Sequence, residues 1–250
     1  MNRDRRLDQP LGARNAGVVE AARLHRARDR RERGQALIEG PNLLSEALSA
    51  GVPVRVVFAA VGDRATFDLG VAHGLDVRPV GTAAMARLAD TGTPRGPVAI
   101  IDIPEVPLPA AGHLLVAHGV SDPGNLGALV RTAAAFGWHM GYTAGTADPW
   151  SPKALRAGAG GHFRVAVTRL GEDAWHGERT TVATVVSGGV APSELPAGPY
   201  AVLIGDESSG LPEQVVQECD VRLTIPMPGG AESLNAAVTA GIVVYALSQG

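Results

Sequence analysis

Five polar side chains sit where glycine-rich turns would present them. Asn125 and Arg131 belong to "DPGNLGALVRTAAAFG", Glu207 to "LIGDESSGL", and Ser233 and Asn235 to "IPMPGGAESLNAAVTAG". Each block follows an apolar run and precedes a helix-like one, so each reads as the carboxyl end of a strand. In open α/β sheets that edge is where ligands bind. Arg131 is a lone cation among alanine, leucine and valine. It is either a ligand-facing group or an arginine snorkelling out of an apolar helix. Asn125, six residues earlier, is not its neighbour on a helix surface, but both reach one ligand if Asn125 sits at the turn. Asp122 or Asn125 caps the helix that follows. Glu207, in a turn closed by Gly210, pairs with a cation such as Arg131 or else caps "LPEQVV". Gly229 and Gly230 let the backbone approach a ligand closely. Ser233 is expected to cap the last helix, with Asn235 in its first turn.

Other chemistries fail on spacing. No G-x-x-x-x-G-K-[ST] loop is present, and "GAGGHF" carries Phe163 where a dinucleotide fingerprint needs its third glycine. "GDESSG" lacks the first glycine of a nucleophile elbow. The seven histidines are scattered without H-E-x-x-H, and the only cysteine is Cys219, so no metal site is expected. His118 reads as a strand-end residue.

The elements that must hold these residues alternate. From Gly17 to Gly34, "GVVEAARLHRARDRRERG" reads as one helix stopped by Gly34. Arg23, Arg26, Arg30 and Arg33 follow its 3- and 4-residue spacing, a stripe of guanidiniums that would follow a phosphate backbone, or else a solvated face. Strand "QALIEG", helix "PNLLSEALSAG", strand "PVRVVFAAV", strand "LDVRPVG" and helix "TAAMARLAD" complete a small α/β unit to about Pro97. Three prolines in "IDIPEVPLPAAG" mark a linker near 103–112, dividing residues 1–105 from 106–250. Strand "HLLVAHGV", a helix over 125–136, helical "SPKALRAGAGG", and strands "HFRVAV", "TTVATVVSG" and "YAVLIGDE" follow. Helix "LPEQVVQEC", strand "VRLTIPM" and a helix from about Ser233 to Ser248 close the chain. Apolar strands alternating with helices predict a parallel sheet covered on both faces.

Composition narrows the setting. Of 250 residues, 45% are apolar and 19% charged, as in a globular protein. One cysteine suits a reducing cytoplasm, and neither a membrane-spanning run nor a secretory signal is evident. The net charge of −3 conceals an asymmetry: residues 1–34 hold ten arginines and five acids, leaving 12 basic and 20 acidic residues elsewhere. A basic segment on an acidic body suggests a polyanionic partner.

Taken in series, the three blocks resemble the SpoU (TrmH) family of RNA ribose 2'-O-methyltransferases, and "LIEGPNLLSEAL" is similar to the start of that family's ribosomal-protein-like RNA-binding domain. The resemblance implies a small N-terminal α/β RNA-binding domain and a C-terminal α/β methyltransferase domain tied in a trefoil knot. It implies S-adenosyl-L-methionine as cofactor and an obligate homodimer with the active site at the subunit interface. Gly205, Ile225 and Leu234 fall on cofactor-contacting positions, with Met227, Thr184 and Val186 as further walls. Arg131 would hold phosphate and ribose and stabilise the developing alkoxide, because a free guanidinium, protonated at any ordinary pH, is a very poor base. Asn125, Glu207, Ser233 and Asn235 would support it, Glu207 by orienting the guanidinium. Arg156 would contact RNA. Two departures from the family pattern are "SLNAAV", where S-L-N-V-S-V is common, and "RAGAGG" at 156–161, where R-A-S-x-G is common.

The two-domain layout resembles the ribosomal-RNA branch, so 23S ribosomal RNA is the expected substrate. A transfer-RNA 2'-O-methyltransferase is the nearest competitor. A non-catalytic RNA-binding protein keeping the fold, and an α/β enzyme acting on a small metabolite, are the readings from other classes.

Overall fold

The computed structural model describes residues 9–249 apart from 93, 95, 172 and 173. Arg3, Arg5 and Arg6 of the basic segment therefore lie outside the described residues. The chain divides into two compact units, one of residues 1–104 with 150–156, the other of 105–149 with 157–250. Among the described residues no helix is long and apolar enough to cross a membrane, and no three His, Cys, Asp or Glu side chains cluster as a metal ion would require.

The first unit carries a four-stranded sheet. Helices α1 (Ala16–Ala22) and α2 (Ala27–Arg33) lead into β1 (Gln35–Glu39), α3 (Pro41–Ser49), β2 (Val54–Ala60), α4 (Arg64–His73), β3 (Val77–Val80), α5 (Thr82–Leu88) and β4 (Val98–Asp102). The strand order is β1-β4-β2-β3, with β4 antiparallel to both neighbours and only β2–β3 parallel. Val18, Leu24, Phe58, Met85 and Leu88 fill the core on one face. Two elements were not foreseen. Helix α4 has weak periodicity, and Asp63, which accepts from the Thr66 amide, is its main start signal. Strand β4 is a short buried run between Pro97 and Pro104, so proline punctuation masks a strand that is central in the sheet.

The single helix expected over 17–34 is two. Asn15 caps α1 by accepting from the Gly17 amide, a 3-10 turn follows at Arg23–His25, and Arg26 then adopts extended backbone at φ −90°, ψ 129°. Gly34, at φ 62°, ends α2 as expected. Arg30 is the physical reason for the break. Only 3% exposed, it folds back and donates from Nη1 to the carbonyls of Leu24 (2.7 Å) and His25 (2.9 Å), which the end of the first helix leaves unpaired. Arg23 pairs with Asp29 at 2.9 Å and Arg33 with Glu20 at 2.6 Å. The predicted guanidinium stripe therefore does not form: of its four members only Arg26 is both exposed and without a partner among the described residues.

The second unit holds a six-stranded, wholly parallel sheet. Its elements are β5 (Leu114–Ala117), α6 (Pro123–Ala135), β6 (His139–Tyr142), β7 (Val167–Arg169), β8 (Thr180–Thr184), β9 (Tyr200–Ile204), α8 (Glu213–Glu218), β10 (Val221–Leu223) and α9 (Ala236–Leu247). Between β6 and β7 runs α7 (Pro152–Gly158), whose residues to Arg156 group with the first unit. The order is β10-β8-β9-β5-β6-β7. Every residue of β5 and β9 is buried. Leu115, Ala117, Val202 and Ile204 face α6 and α9, while Leu114, Val116, Ala201 and Leu203 face Trp175 and Val215. That two-sided burial is why these strands read as unbroken apolar runs. At the other edge, Arg179 donates to the carbonyls of Pro109, Ala111 and Gly112 at 2.6–3.1 Å, pinning the end of the proline-rich segment.

From β5 the chain moves to β6 and β7 on one side; from β9 it moves past β8 to β10 on the other. The carboxyl ends of β5 and β9 thus flank a topological switch point, where α/β sheets open a crevice. Replacing Arg30 by alanine should lower stability by about 2 kcal/mol, since it strips charge-assisted hydrogen bonds from buried carbonyls. Arg26→Ala should leave the midpoint unchanged; urea titration of both variants checks the contrast.

Candidate active site

Three turns meet at the switch point. After β5, Asp122 caps α6 by accepting from the Asn125 amide at 2.9 Å, and Pro123 begins the helix. Asn125 is left free to face the next turn, and its Nδ2 donates to Glu207 Oε1. Asn235 Nδ2 donates to Asn125 Oδ1 at 3.1 Å, while Asn235 Oδ1 accepts from the amide of Ala237 at 2.9 Å. Asn235, not Ser233, is therefore the cap of α9: the helical turn begins one residue beyond it, at Ala236. A continuous chain, Asn235 to Asn125 to Glu207, links all three sequence blocks.

Arg131 stands outside this chain. It is exposed on α6, and six residues place it roughly 9 Å along the axis and 120° around from Asn125. The expected pairing with Glu207 is not present, because Glu207 takes the Asn125 amide. Among the described residues the Arg131 side chain has no hydrogen bond or ion pair.

A cavity of about 500 Å³ opens at the carboxyl ends of β8, β9 and β10. Thr184, Val186, Gly205, Ile225, Met227 and Leu234 all line it, as do Glu207 and Ser233. Two close backbone approaches set the loops that follow β8 and β9. A Cβ on Gly205 would lie 2.3 Å from the Gly210 carbonyl carbon, so only glycine lets the 205–211 loop fold back. A Cβ on Gly189 would meet the Arg222 carbonyl oxygen at 2.6 Å, where residues 185–190 run beside β10. Asp206 closes the first loop: it accepts from the hydroxyl and amide of Ser208 at 2.6 and 3.0 Å, and from those of Ser121 at 2.8 and 3.3 Å. Donation by Ser208 and then Ser121 holds its carboxyl far below the usual carboxylate range.

The "RAGAGG" block supports α6 from behind. Residues 161–163 form a 3-10 turn, and the strand expected over "HFRVAV" begins only at its last residue, running Val167–Arg169. A Cβ on Gly161 would sit 3.1 Å from the Val130 carbonyl oxygen and 3.2 Å from Arg131 Cα. At Gly158 the His162 ring occupies the side-chain space, with Cε1 2.3 Å from the position of a Cβ. Burial pushes His162 down to about 4 from 6.5. Arg156 is held by carboxylates. Within the first unit it pairs with Asp90 at 2.9 Å and lies 4.0 Å from Glu39. Ser121, Asp206 and His162 escaped the sequence reading; none carries a local signal, and the close approaches of Gly158 and Gly161 appear only on folding.

The sequence matches the model of the SpoU rRNA methylase family over residues 112–245, and that of the MRM3-like substrate binding domain over residues 15–99. The chain belongs to the SpoU rRNA methylase family. The 23S rRNA (guanosine(2553)-2'-O)-methyltransferase of Bacillus subtilis is 32% identical to this SpoU-family chain over 248 residues, which cover 96% of it and 99% of the relative. A structure of an AdoMet-bound rRNA methyltransferase from Sinorhizobium meliloti superposes with a TM-score of 0.82 at 27% identity, over 96% of this chain and 97% of that one. A structure of an RNA 2'-O ribose methyltransferase gives 0.79 at 26% identity, over 96% and 98%.

His162 sets a pH dependence. Below pH 6.5 the unfolded chain binds a proton that the folded one refuses, so stability is full above 6.5 and falls as pH drops towards 4. At about 1.4 kcal/mol per pKa unit the loss approaches about 3 kcal/mol. Urea midpoints at pH 7 and 4.5 should show this fall, and His162→Leu should flatten it.

Proposed function

We propose that this SpoU-family protein transfers a methyl group from S-adenosyl-L-methionine to a ribose 2'-hydroxyl in RNA, with 23S ribosomal RNA as the substrate. The observation that carries the reading is the cavity at the ends of β8, β9 and β10, opening beside the Asn235–Asn125–Glu207 chain. Its residues fit the cofactor: Val186, Ile225, Met227 and Leu234 offer apolar walls to a planar base, and Gly205 leaves a cradle that a Cβ would fill. S-adenosyl-L-methionine bound there supplies an electrophilic methyl group on a sulfonium. The Bacillus subtilis relative supports the choice of 23S ribosomal RNA.

The chain's own residues hold and orient the nucleophile. Arg131, whose side chain has no ion pair among the described residues, fixes a phosphate and stabilises the negative charge developing on the ribose oxygen as the hydroxyl proton passes to solvent. Asn125, locked between Glu207 and Asn235, presents a fixed amide, and Ser233 lines the pocket mouth. Holding the hydroxyl in line with the methyl group removes orientational entropy beforehand. Residues 106–250 serve as the methyltransferase domain and residues 1–105 as the RNA-binding domain. The latter draws on Arg26, Arg14 and Arg31, which are exposed and unpaired among the described residues, in place of Arg30 and Arg156.

The protein acts as a cytoplasmic homodimer. Helix α9 is largely apolar: Ala240, Val243 and Val244 bury against the core, while Val238, Ile242 and Tyr245 stay exposed, Tyr245 edge-on to Phe136. Such a face supports pairing with a second copy. A trefoil knot in residues 180–250 is supported by the path of 185–190 beside β10 and the return of α9 onto α6.

Wild type, Arg131→Ala and Gly205→Ala, incubated with radiolabelled S-adenosyl-L-methionine and separate pools of ribosomal and transfer RNA, test the reading. Label should enter ribosomal RNA. Arg131→Ala should lower transfer by about a hundredfold while keeping cofactor affinity. Gly205→Ala should weaken cofactor binding by about tenfold or more, the loss from about 1.4 kcal/mol of misfit. Label in transfer RNA alone would reassign the substrate; equal transfer by Arg131→Ala would remove the arginine from the mechanism.

A further inference from the structure

One residue pair joins the loop after β5 to the loop after β9, and the mechanism above leaves it without a role. Ser121 immediately precedes the cap of α6. Its hydroxyl and amide both donate to Asp206 Oδ2, at 2.8 and 3.3 Å. The other oxygen, Oδ1, takes the hydroxyl and amide of Ser208 at 2.6 and 3.0 Å, and the Asp206 carbonyl accepts from the Gly210 amide at 2.9 Å. One carboxylate oxygen thus holds the entry to α6 and the other holds the loop that walls the cavity.

We propose that Ser121 and Asp206 form a joint that positions Arg131 for methyl transfer by fixing the angle at which α6 leaves the sheet. The inference rests on the assignment of Arg131 as a catalytic group and of the cavity as the cofactor site.

The leverage is geometric. Arg131 lies eight residues beyond Pro123, about 12 Å along the helix axis, so a tilt of about 5° at the entry displaces it by about 1 Å. A displacement of that size costs up to about a hundredfold in rate. The other restraints on α6 are its apolar packing against α9 and the sheet, through Leu126, Leu129, Val130 and Ala133, and the close approach of Gly161 behind Val130 and Arg131. Apolar contact resists separation but has little directional preference. The Ser121–Asp206 bonds supply direction, aided by Asn125–Glu207 between the same two loops. The pair also demands its residue types. Two donors converge on each Asp206 oxygen, so an amide at 206 would turn an NH₂ towards donors at one end.

Ser121 is absent from the cavity lining whereas Asp206 belongs to it, which makes Ser121 the cleaner probe. Methyl transfer, cofactor affinity and melting temperature are to be measured for Ser121→Ala, Ser121→Thr, Asp206→Asn, the Ser121→Ala/Asp206→Asn double variant and Arg131→Ala. Ser121→Ala should lower kcat by about tenfold, with the Kd for S-adenosyl-L-methionine within about twofold of wild type and the melting temperature kept. Ser121→Thr, which retains a hydroxyl, should recover most of the rate. The double variant should be no slower than Asp206→Asn alone, because both single changes remove one shared interaction. Wild-type kcat in Ser121→Ala, multiplicative losses in the double variant, or a loss that tracks melting temperature would each overturn the joint. Arg131→Ala at the wild-type rate would instead overturn the assignment beneath it. An inactive Arg131→Ala beside an unaffected Ser121→Ala would overturn the joint alone.

Discussion

Parallel strands deliver their carboxyl ends to one edge of a sheet, and the neighbours β5 and β9 turn that rule into a site. They pair from Leu114 with Ala201 to Ala117 with Ile204, so the loops they release begin at the same level. The register is fixed by burial on both faces: a shift of one residue would send Leu115 and Val202 into the opposite core. Each loop then carries short polar side chains across a gap set by strand spacing, about 4.8 Å. Asn125 reaches Glu207, Ser121 reaches Asp206, and Asn235 arrives from the start of α9 to complete the row.

Much of this was legible because the signals are local. Glycines at strand ends mark where backbone must turn sharply or come close, and Gly205 and Gly210 do so in the 205–211 loop. The cavity walls follow from the same strand ends, so residues as far apart in sequence as Thr184 and Leu234 line one cavity. What sequence could not rank were choices between neighbours. Ser233 and Asn235 are both good caps, and the decision turns on which residue still has extended backbone where α9 starts. The partner of Glu207 was equally open, since both a guanidinium and an amide satisfy a carboxylate. Strand β4 escaped because a four-residue apolar run between prolines has no period to detect. Its place between two antiparallel partners exists only in the folded sheet.

The arginines show why charge counting overstates a basic surface. Ten arginines precede Gly34, yet Arg30 is buried on two carbonyls, and Arg23 and Arg33 are held by Asp29 and Glu20. Arg179 in the second unit does the same structural work on three carbonyls. A guanidinium's five donors suit it to such ends of chain, where carbonyls point inward without amides to meet them. Arg131 and Arg26 differ in having no ion pair among the described residues, so an arriving phosphate has none of those to break.

The Gly158–His162 contact has a consequence for how this chain can change over time. The imidazole fills the volume that any side chain at 158 would need, so the two positions are not independent characters. Serine, common at 158 in the resembling family, could enter here only after His162 had given way to a smaller or differently turned residue. The reverse order would thrust a side chain against the ring directly behind the helix that carries Arg131. The path to the familiar motif is therefore one-way in its sequence of steps, and homologues with a side chain at 158 should lack histidine at 162.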